Sequence, residues 1–249
     1  MIEIVYCAEV YKLDSDRDLD SYFVDNDAVF NGLIVCSLHG DEPLGSLVVQ
    51  KIISRLPENF NYYIVLQPSK YRIEKNIRNN FEGLDPNRTF INLYSQSAQF
   101  IVSLINKVDP LFVIDIHQAK RENVNFLYSF GNFSRIIDYI YSQDKKYGLL
   151  SSDIYNPYYF HIMDLQKRLE KDSSSVFSST GAKIQKYTVP NSNYSYGNLS
   201  ILRNFAASKG IFSILFEVTY LGGNDKILEK ILIDYLEFLY DNKDSLVSY

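Results

Sequence analysis

The sequence predicts a single α/β domain over residues 1–249, built on a mixed, mostly parallel β-sheet with helices on both faces. Three observations carry that expectation. Short apolar runs rich in Ile, Val, Phe and Tyr recur along the chain, as strands do. Longer segments with helical spacing separate them. The central runs, "LFVID" at 111–115 among them, are apolar without alternation, which is how strands covered on both faces read. Strand and helix in alternation imply crossover connections, and crossovers make neighbouring strands parallel.

In chain order, strands are expected at "IEIVYCAEV" (2–10), "GLIVCSL" (32–38), "YYIVLQP" (62–68), "LFVIDIH" (111–117), "NFLYSFG" (125–131) and "IFSILFEV" (211–218). Helices are expected at 43–56, 95–108, 133–147, 158–171, 198–209 and 225–242. Pro43 suits the first position of its helix, where a missing N–H costs nothing. Residues 172–198, rich in Ser and punctuated by three tyrosines, read as a lid or insertion loop. Cys7 and Cys36 lie in strand-like runs, where free cysteine behaves as a small buried hydrophobe.

Composition narrows the function classes. The net charge of -5 comes without any basic run, so neither nucleic acid nor an anionic membrane is an expected partner. No stretch reaches bilayer length, and the start "MIEIVYCAEVYKLDSD" lacks a basic segment and a small-residue cleavage site. The expected location is cytoplasmic.

Ligands of open α/β sheets bind beyond the carboxyl ends of the strands, so the residues that follow each strand carry the functional information. "GLIVCSL" runs into His39, with Glu42 three residues later; "LFVID" runs into His117; "IFSILF" runs into Glu217. Two of the three histidines thus end strands. Pro43 biases Glu42 away from helical geometry, which puts His39 and Glu42 in a strand-to-helix turn. Two imidazoles and one carboxylate make a zinc site with three protein ligands and an open fourth position, the pattern of a catalytic metal. Asp115, on the same strand face as His117, is placed to accept the second ring N–H of that histidine. Singly, each histidine reads as an ordinary polar residue at a strand end; together they favour a metal. His161, in the aromatic run "YYFHIM", reads as structural.

The segments "HGDE" (39–42), "LDPNRTF" (84–90), "DIH" (115–117) and "FEVT" (216–219) occur in an order that resembles the zinc carboxypeptidases of the pancreatic carboxypeptidase A type, with their relatives the succinylglutamate desuccinylases and aspartoacylases. "HGDEPLG" is also similar to the turn of the bacterial cell-shape peptidoglycan carboxypeptidases. The resemblance covers nearly the whole chain. It implies one Zn2+ per chain on His39, Glu42 and His117, with Glu217 as the general base that takes a proton from the zinc-activated water and passes it to the leaving amine. It further implies that Asn87 and Arg88 bind the substrate's free carboxylate, a task that suits a planar guanidinium. A structural ion pair of Arg88 with Asp85 or another acid is the alternative. By the same resemblance Arg78, or else Arg72, polarises the scissile carbonyl, and Tyr194 or Tyr196 reaches the substrate from the loop. Two features depart from the pancreatic pattern: the interval from His39 to His117 is shorter, and "DPNR" replaces the commoner Asp-Leu/Val-Asn-Arg.

The expected function is a zinc-dependent hydrolase that cleaves a peptide or amide bond next to a free carboxylate, acting on small peptides or N-acyl amino acids. The alternatives are an N-acyl amino acid deacylase and a non-catalytic peptide-binding module of the same fold. The 32 residues after Glu217 and the tyrosine-bearing loop favour the peptidase.

Overall fold

The computed structural model describes residues 9–15, 19–66, 72, 74–119, 126–130, 175–177, 185–187, 200–219 and 224–247. Among them nine strands make one sheet: β1 (Glu9–Ser15), β2 (Asp20–Asp25), β3 (Asn31–Cys36), β4 (Asn61–Leu66), β5 (Phe112–Ala119), β6 (Phe126–Phe130), β7 (Ser175–Phe177), β8 (Gln185–Tyr187) and β9 (Phe212–Thr219). Their spatial order is β1-β2-β4-β3-β5-β9-β6-β8-β7. The four central strands, β4-β3-β5-β9, are all parallel. Antiparallel pairs flank them, β1 with β2 and β2 with β4 on one side and β6 with β9 on the other. The mixed sheet therefore has its parallel part where the apolar runs are strongest. β2 was not expected, because its apolar stretch "YFV" is framed by acidic residues; its pairing with β4 is what makes it a strand. β7 and β8, three residues each, fall inside 172–198 and join the far edge of the sheet. The rest of that segment, the expected helices 133–147 and 158–171, Cys7, His161, Tyr194 and Tyr196 lie outside the described residues.

Helices cover both faces. α1 (Leu44–Ile52) and α4 (Asn224–Asp241) pack on one side, α2 (Gln96–Val108) and α3 (Leu202–Ser208) on the other, and a short α5 (Asp244–Val247) follows α4. α2 shows how local sequence sets such an element. The Ser95 side chain accepts the Ala98 N–H at its start, and Asp109, in the left-handed region at φ 45, ends it. Ala98, Ile101, Val102, Ile105 and Val108 form the buried stripe against Leu33, Val35 and Val113 of the sheet. On the opposite face Leu228, Leu232, Tyr235, Leu236 and Leu239 of α4 pack with Val48, Val49 and Ile52 of α1 over Ile34, Ile114 and Ile214. The Arg55–Glu229 and Lys51–Glu229 pairs at 2.8 and 3.6 Å edge this contact from solvent and add little to its stability.

Phe60 is fully buried and meets the rings of Tyr62, Phe112 and Tyr240 at centroid distances of 6.1, 5.0 and 5.7 Å. Phe60→Ala is expected to cost about 3–5 kcal/mol in urea unfolding, the usual range for a truncated core aromatic. A loss below about 1 kcal/mol would mean that this cluster is not part of the cooperative core. No helix among the described residues is long and apolar enough to cross a membrane.

Candidate metal centre

The turn after β3 begins with Ser37, whose backbone at φ 58 leaves the strand while its N–H still bonds Ile116 O on β5 at 3.0 Å. His39 follows, and the Glu42 N–H closes the turn on His39 O at 3.1 Å. Two glycines make room for it. A Cβ at Gly40 would lie 2.5 Å from Ile77 O, and one at Gly45 would lie 2.8 Å from Ile116 Cγ2. The first allows the turn to hydrogen-bond Arg78 O through the Gly40 N–H, and the second lets α1 sit directly on β5.

Strand order then does what spacing cannot. β3 and β5 are adjacent, with Cys36 opposite Ile116, so the turn at 39–42 meets His117 just beyond the last paired residues. The two imidazole rings lie 4.8 Å apart between centroids. His39 Nδ1 is 2.8 Å from Glu42 Oε1 and His117 Nδ1 is 2.7 Å from Glu42 Oε2. All three side chains are buried, and one ligand atom from each lies within 4.8 Å of the others. Two imidazole nitrogens and a carboxylate oxygen so grouped suit a tetrahedral metal with one position left for solvent or substrate. A His–Glu–His group is thus positioned to bind a metal ion.

The outward nitrogens are held as well. Asp115 Oδ2 lies 3.1 Å from His117 Nε2, as expected, and Asp85 Oδ1 lies 3.0 Å from His39 Nε2. A carboxylate can only accept, so an Nε2 N–H facing each aspartate would leave each Nδ1, on the Glu42 side, free to take a metal. Burial pushes the Glu42 carboxyl up, but the His117 and His39 imidazoles outweigh it and hold the group well below the usual carboxylate range. Burial likewise opposes the charged form of His117, and Asp115 and Glu42 overcome it and raise its pKa well above the ordinary imidazole value. Asp85 behaves as Glu42 does: burial raises it, while the His39 hydrogen bond and the charges of Arg78 and Arg88 bring it below the normal range. Burial, with Asp115 adding to it, raises the Cys36 thiol, which is free and enclosed in the core as expected.

The remaining expected residues divide. Arg78, half-exposed, donates Nη1 to Glu42 Oε1 at 3.0 Å, and Nε and Nη2 to Asp85 Oδ2 at 3.1 Å each. Arg72 is buried beneath the turn, against Gly40, and reaches toward Arg78 O. Of the two arginines, the structure brings Arg78 to the cluster. Asn87 is buried with Oδ1 accepting the Leu202 N–H at 2.9 Å and Nδ2 3.0 Å from His117 Nε2. Arg88 is exposed and donates Nη1 to Asn87 O. Its expected alternative partner, Asp85, is ion-paired with Arg78 instead. "DPNR" is itself a short 3-10 turn, with the Asp85 side chain accepting the Asn87 N–H and Pro86 at the start.

No protein-family model matches the chain, and no curated protein does. Solved structures do. A metallo-carboxypeptidase from Pseudomonas aeruginosa, in complex with (2-guanidinoethylmercapto)succinic acid, superposes with a TM-score of 0.59 over 95% of this chain at 14% identity. The chain has the metallo-carboxypeptidase fold. It spans 65% of the length of that enzyme. The murein-tripeptide amidase MpaA from Escherichia coli O157 matches with a TM-score of 0.50 at 12% identity, over 89% of this chain and 86% of its own. A succinylglutamate desuccinylase/aspartoacylase from Rhodobacter sphaeroides also matches at 0.50 and 16% identity, over 88% and 57%. Within the carboxypeptidase fold of this chain, β9 lies beside β5 with Glu217 at the register position opposite His117.

Two residues of the centre had no signal of this kind in the sequence. The sequence offers Asp85 only as a partner for Arg88, since 46 residues separate it from His39. Gln118 carries no motif in the sequence; it is buried, and its N–H reaches Glu42 Oε2 at 3.2 Å.

Proposed function

We infer that the protein is a zinc-dependent hydrolase that cleaves a peptide or amide bond adjacent to a free carboxylate. The observation that carries this assignment is the convergence of His39 Nδ1 and His117 Nδ1 on one buried carboxylate, each ring braced from behind by an aspartate. Nitrogen and oxygen donors with braced tautomers at the carboxyl ends of parallel strands suit catalytic zinc better than a structural ion, which takes four protein ligands. Zinc, when bound, would lower the pKa of water to about 7 and polarise a carbonyl.

The chain's own residues supply the rest. Glu217, alongside His117 in the β5–β9 register, accepts the proton of the attacking water and delivers it to the leaving amine. Arg78, whose guanidinium is half-exposed beside the cluster, donates to the carbonyl oxygen as negative charge develops there. Arg88, exposed and with no salt bridge to an acid among the described residues, grips the substrate carboxylate, with Asn87 beside it. Tyr194 or Tyr196 covers the bound substrate. The succinic acid derivative bound to the Pseudomonas enzyme is a small carboxylate, in keeping with such a clamp.

The fold also serves a desuccinylase/aspartoacylase, so substrate class has to be read by assay. A panel of peptides with free C-termini, run beside N-succinyl and N-acetyl amino acids, tests the assignment. Turnover of peptides supports it. Turnover of acyl amino acids alone overturns the peptidase in favour of the deacylase, and none by the zinc-loaded protein favours a binding module. Arg88→Ala is expected to raise KM at least 10-fold for substrates with a free carboxylate, a charge-assisted pair being worth about 1.5–3 kcal/mol. Amidated analogues should be little affected. Equal effects on both would remove Arg88 from the clamp.

A further inference from the structure

α1 begins without a cap of its own. Pro43 stands at its N-cap position with no side-chain oxygen to offer, and no acidic residue lies in the first turn. The first N–H groups of a helix have no partner within it, and leaving them buried and unmade is costly. Two residues from other strands take them. Ser37 Oγ, at the end of β3, accepts the Ser46 N–H at 3.0 Å, and Gln118 Oε1, on β5, accepts the Leu44 N–H at 3.1 Å.

Gln118 makes a second bond in the opposite sense: its backbone N–H donates to Glu42 Oε2 at 3.2 Å. The same oxygen faces His117 Nδ1 at 2.7 Å. One buried residue therefore grips the Glu42–Pro43–Leu44 turn at both ends, the carboxylate by its main chain and the helix start by its side chain. The assignment of the amide is forced, since a backbone N–H requires an oxygen opposite it. The 74 positions between Leu44 and Gln118 make this a tertiary cap, and it ties the segment carrying His39 and Glu42 to the strand carrying His117.

We propose that Gln118 is a positioning residue for the metal centre, which sets Glu42 relative to His117 through this double hold on the turn. The proposal rests on the zinc assignment above. Its physical content is that the Glu42 carboxylate is poised before any ligand arrives, because the Gln118 N–H holds its Oε2 while the Pro43–Leu44 peptide unit cannot rotate without losing the Leu44 bond to the same residue. Loss of a group that orients a metal-ligating side chain typically weakens metal binding by about 10–100-fold.

The test compares the parent, Gln118→Met and Gln118→Glu for zinc affinity by chelator competition and for amide exchange at residues 43–47. The methionine has similar length but offers Leu44 no oxygen, whereas the glutamate retains an acceptor. Expected is a 10–100-fold weaker zinc affinity for Gln118→Met, with faster exchange at Leu44 and unchanged exchange in α2. Gln118→Glu should recover both slow exchange at Leu44 and zinc affinity to within a few-fold of the parent. Should Gln118→Met not fold, Gln118→Ser, polar but too short to reach Leu44, gives the same readouts. Parent-like zinc affinity in Gln118→Met or Gln118→Ser, or a Gln118→Glu protein as weak as they are, overturns the proposal. A parent that binds no zinc removes the hydrolase assignment instead. The hold of Gln118 on the turn is then judged by Leu44 exchange alone, and parent-like exchange in Gln118→Met overturns that too.

Discussion

Glu217→Gln is expected to keep its zinc, close to one per chain, and to lose turnover by roughly 10²–10⁴-fold, the usual contribution of a positioned acid–base group. The substitution preserves size and removes only the ability to take a proton. Glu217 ends the strongly apolar run "IFSILF" on a central parallel strand, where a carboxylate is costly unless it has a task or a partner. Its register position on β9 is opposite His117 on β5. The measurement is kcat for the best substrate of the panel, with metal content determined by elemental analysis on the same preparations. Loss of zinc together with activity would make Glu217 a ligand or a structural support. Near-parent hydrolysis with zinc retained would remove it as the base.

The second large effect concerns the metal. Elemental analysis of the parent after zinc supply and dialysis should give close to one zinc per chain, and His117→Ala prepared identically should give almost none. Removing one of three candidate ligands opens the site, and among the described residues His117 is what β5 contributes to the group. The same substitution strips Asp115 of its hydrogen-bond partner while leaving the carboxylate fully buried. Breaking a buried pair in this way costs about 3–5 kcal/mol, so the variant should also melt earlier. His117→Gln keeps a donor for Asp115 and softens that loss, which separates metal binding from folding. A stably folded His117→Gln protein that holds zinc as the parent does would exclude His117 as a ligand, and the two distant motifs would then not share one ion.

Much of the centre is legible before folding because its parts are local. His39 and Glu42 sit three residues apart in a turn announced by Pro43, and Asp115 and His117 share one strand face through the two-residue period of a β-strand. The same holds for α2, where the Ser95 cap, the apolar stripe and the left-handed Asp109 lie within one stretch of chain. The structure brings "HGDE" and "DIH" into one cluster.

What the sequence by itself determined, then, is which residues end the strands and which chemistry they offer, two imidazoles and a carboxylate, together with the arginine-bearing segment "DPNR". Only the tertiary structure decided that Asp85 braces His39, that Arg78 and not Arg72 reaches Glu42, and that Gln118 caps a helix begun 74 residues earlier. The physical reason is range. Propensities, caps and periodicities act over three or four residues, whereas these contacts exist only because β3 and β5 pair in one register and carry their end loops to the same point. β2 makes the same case from the other side, since three apolar residues among acids become a strand only when β4 offers them an edge to pair with.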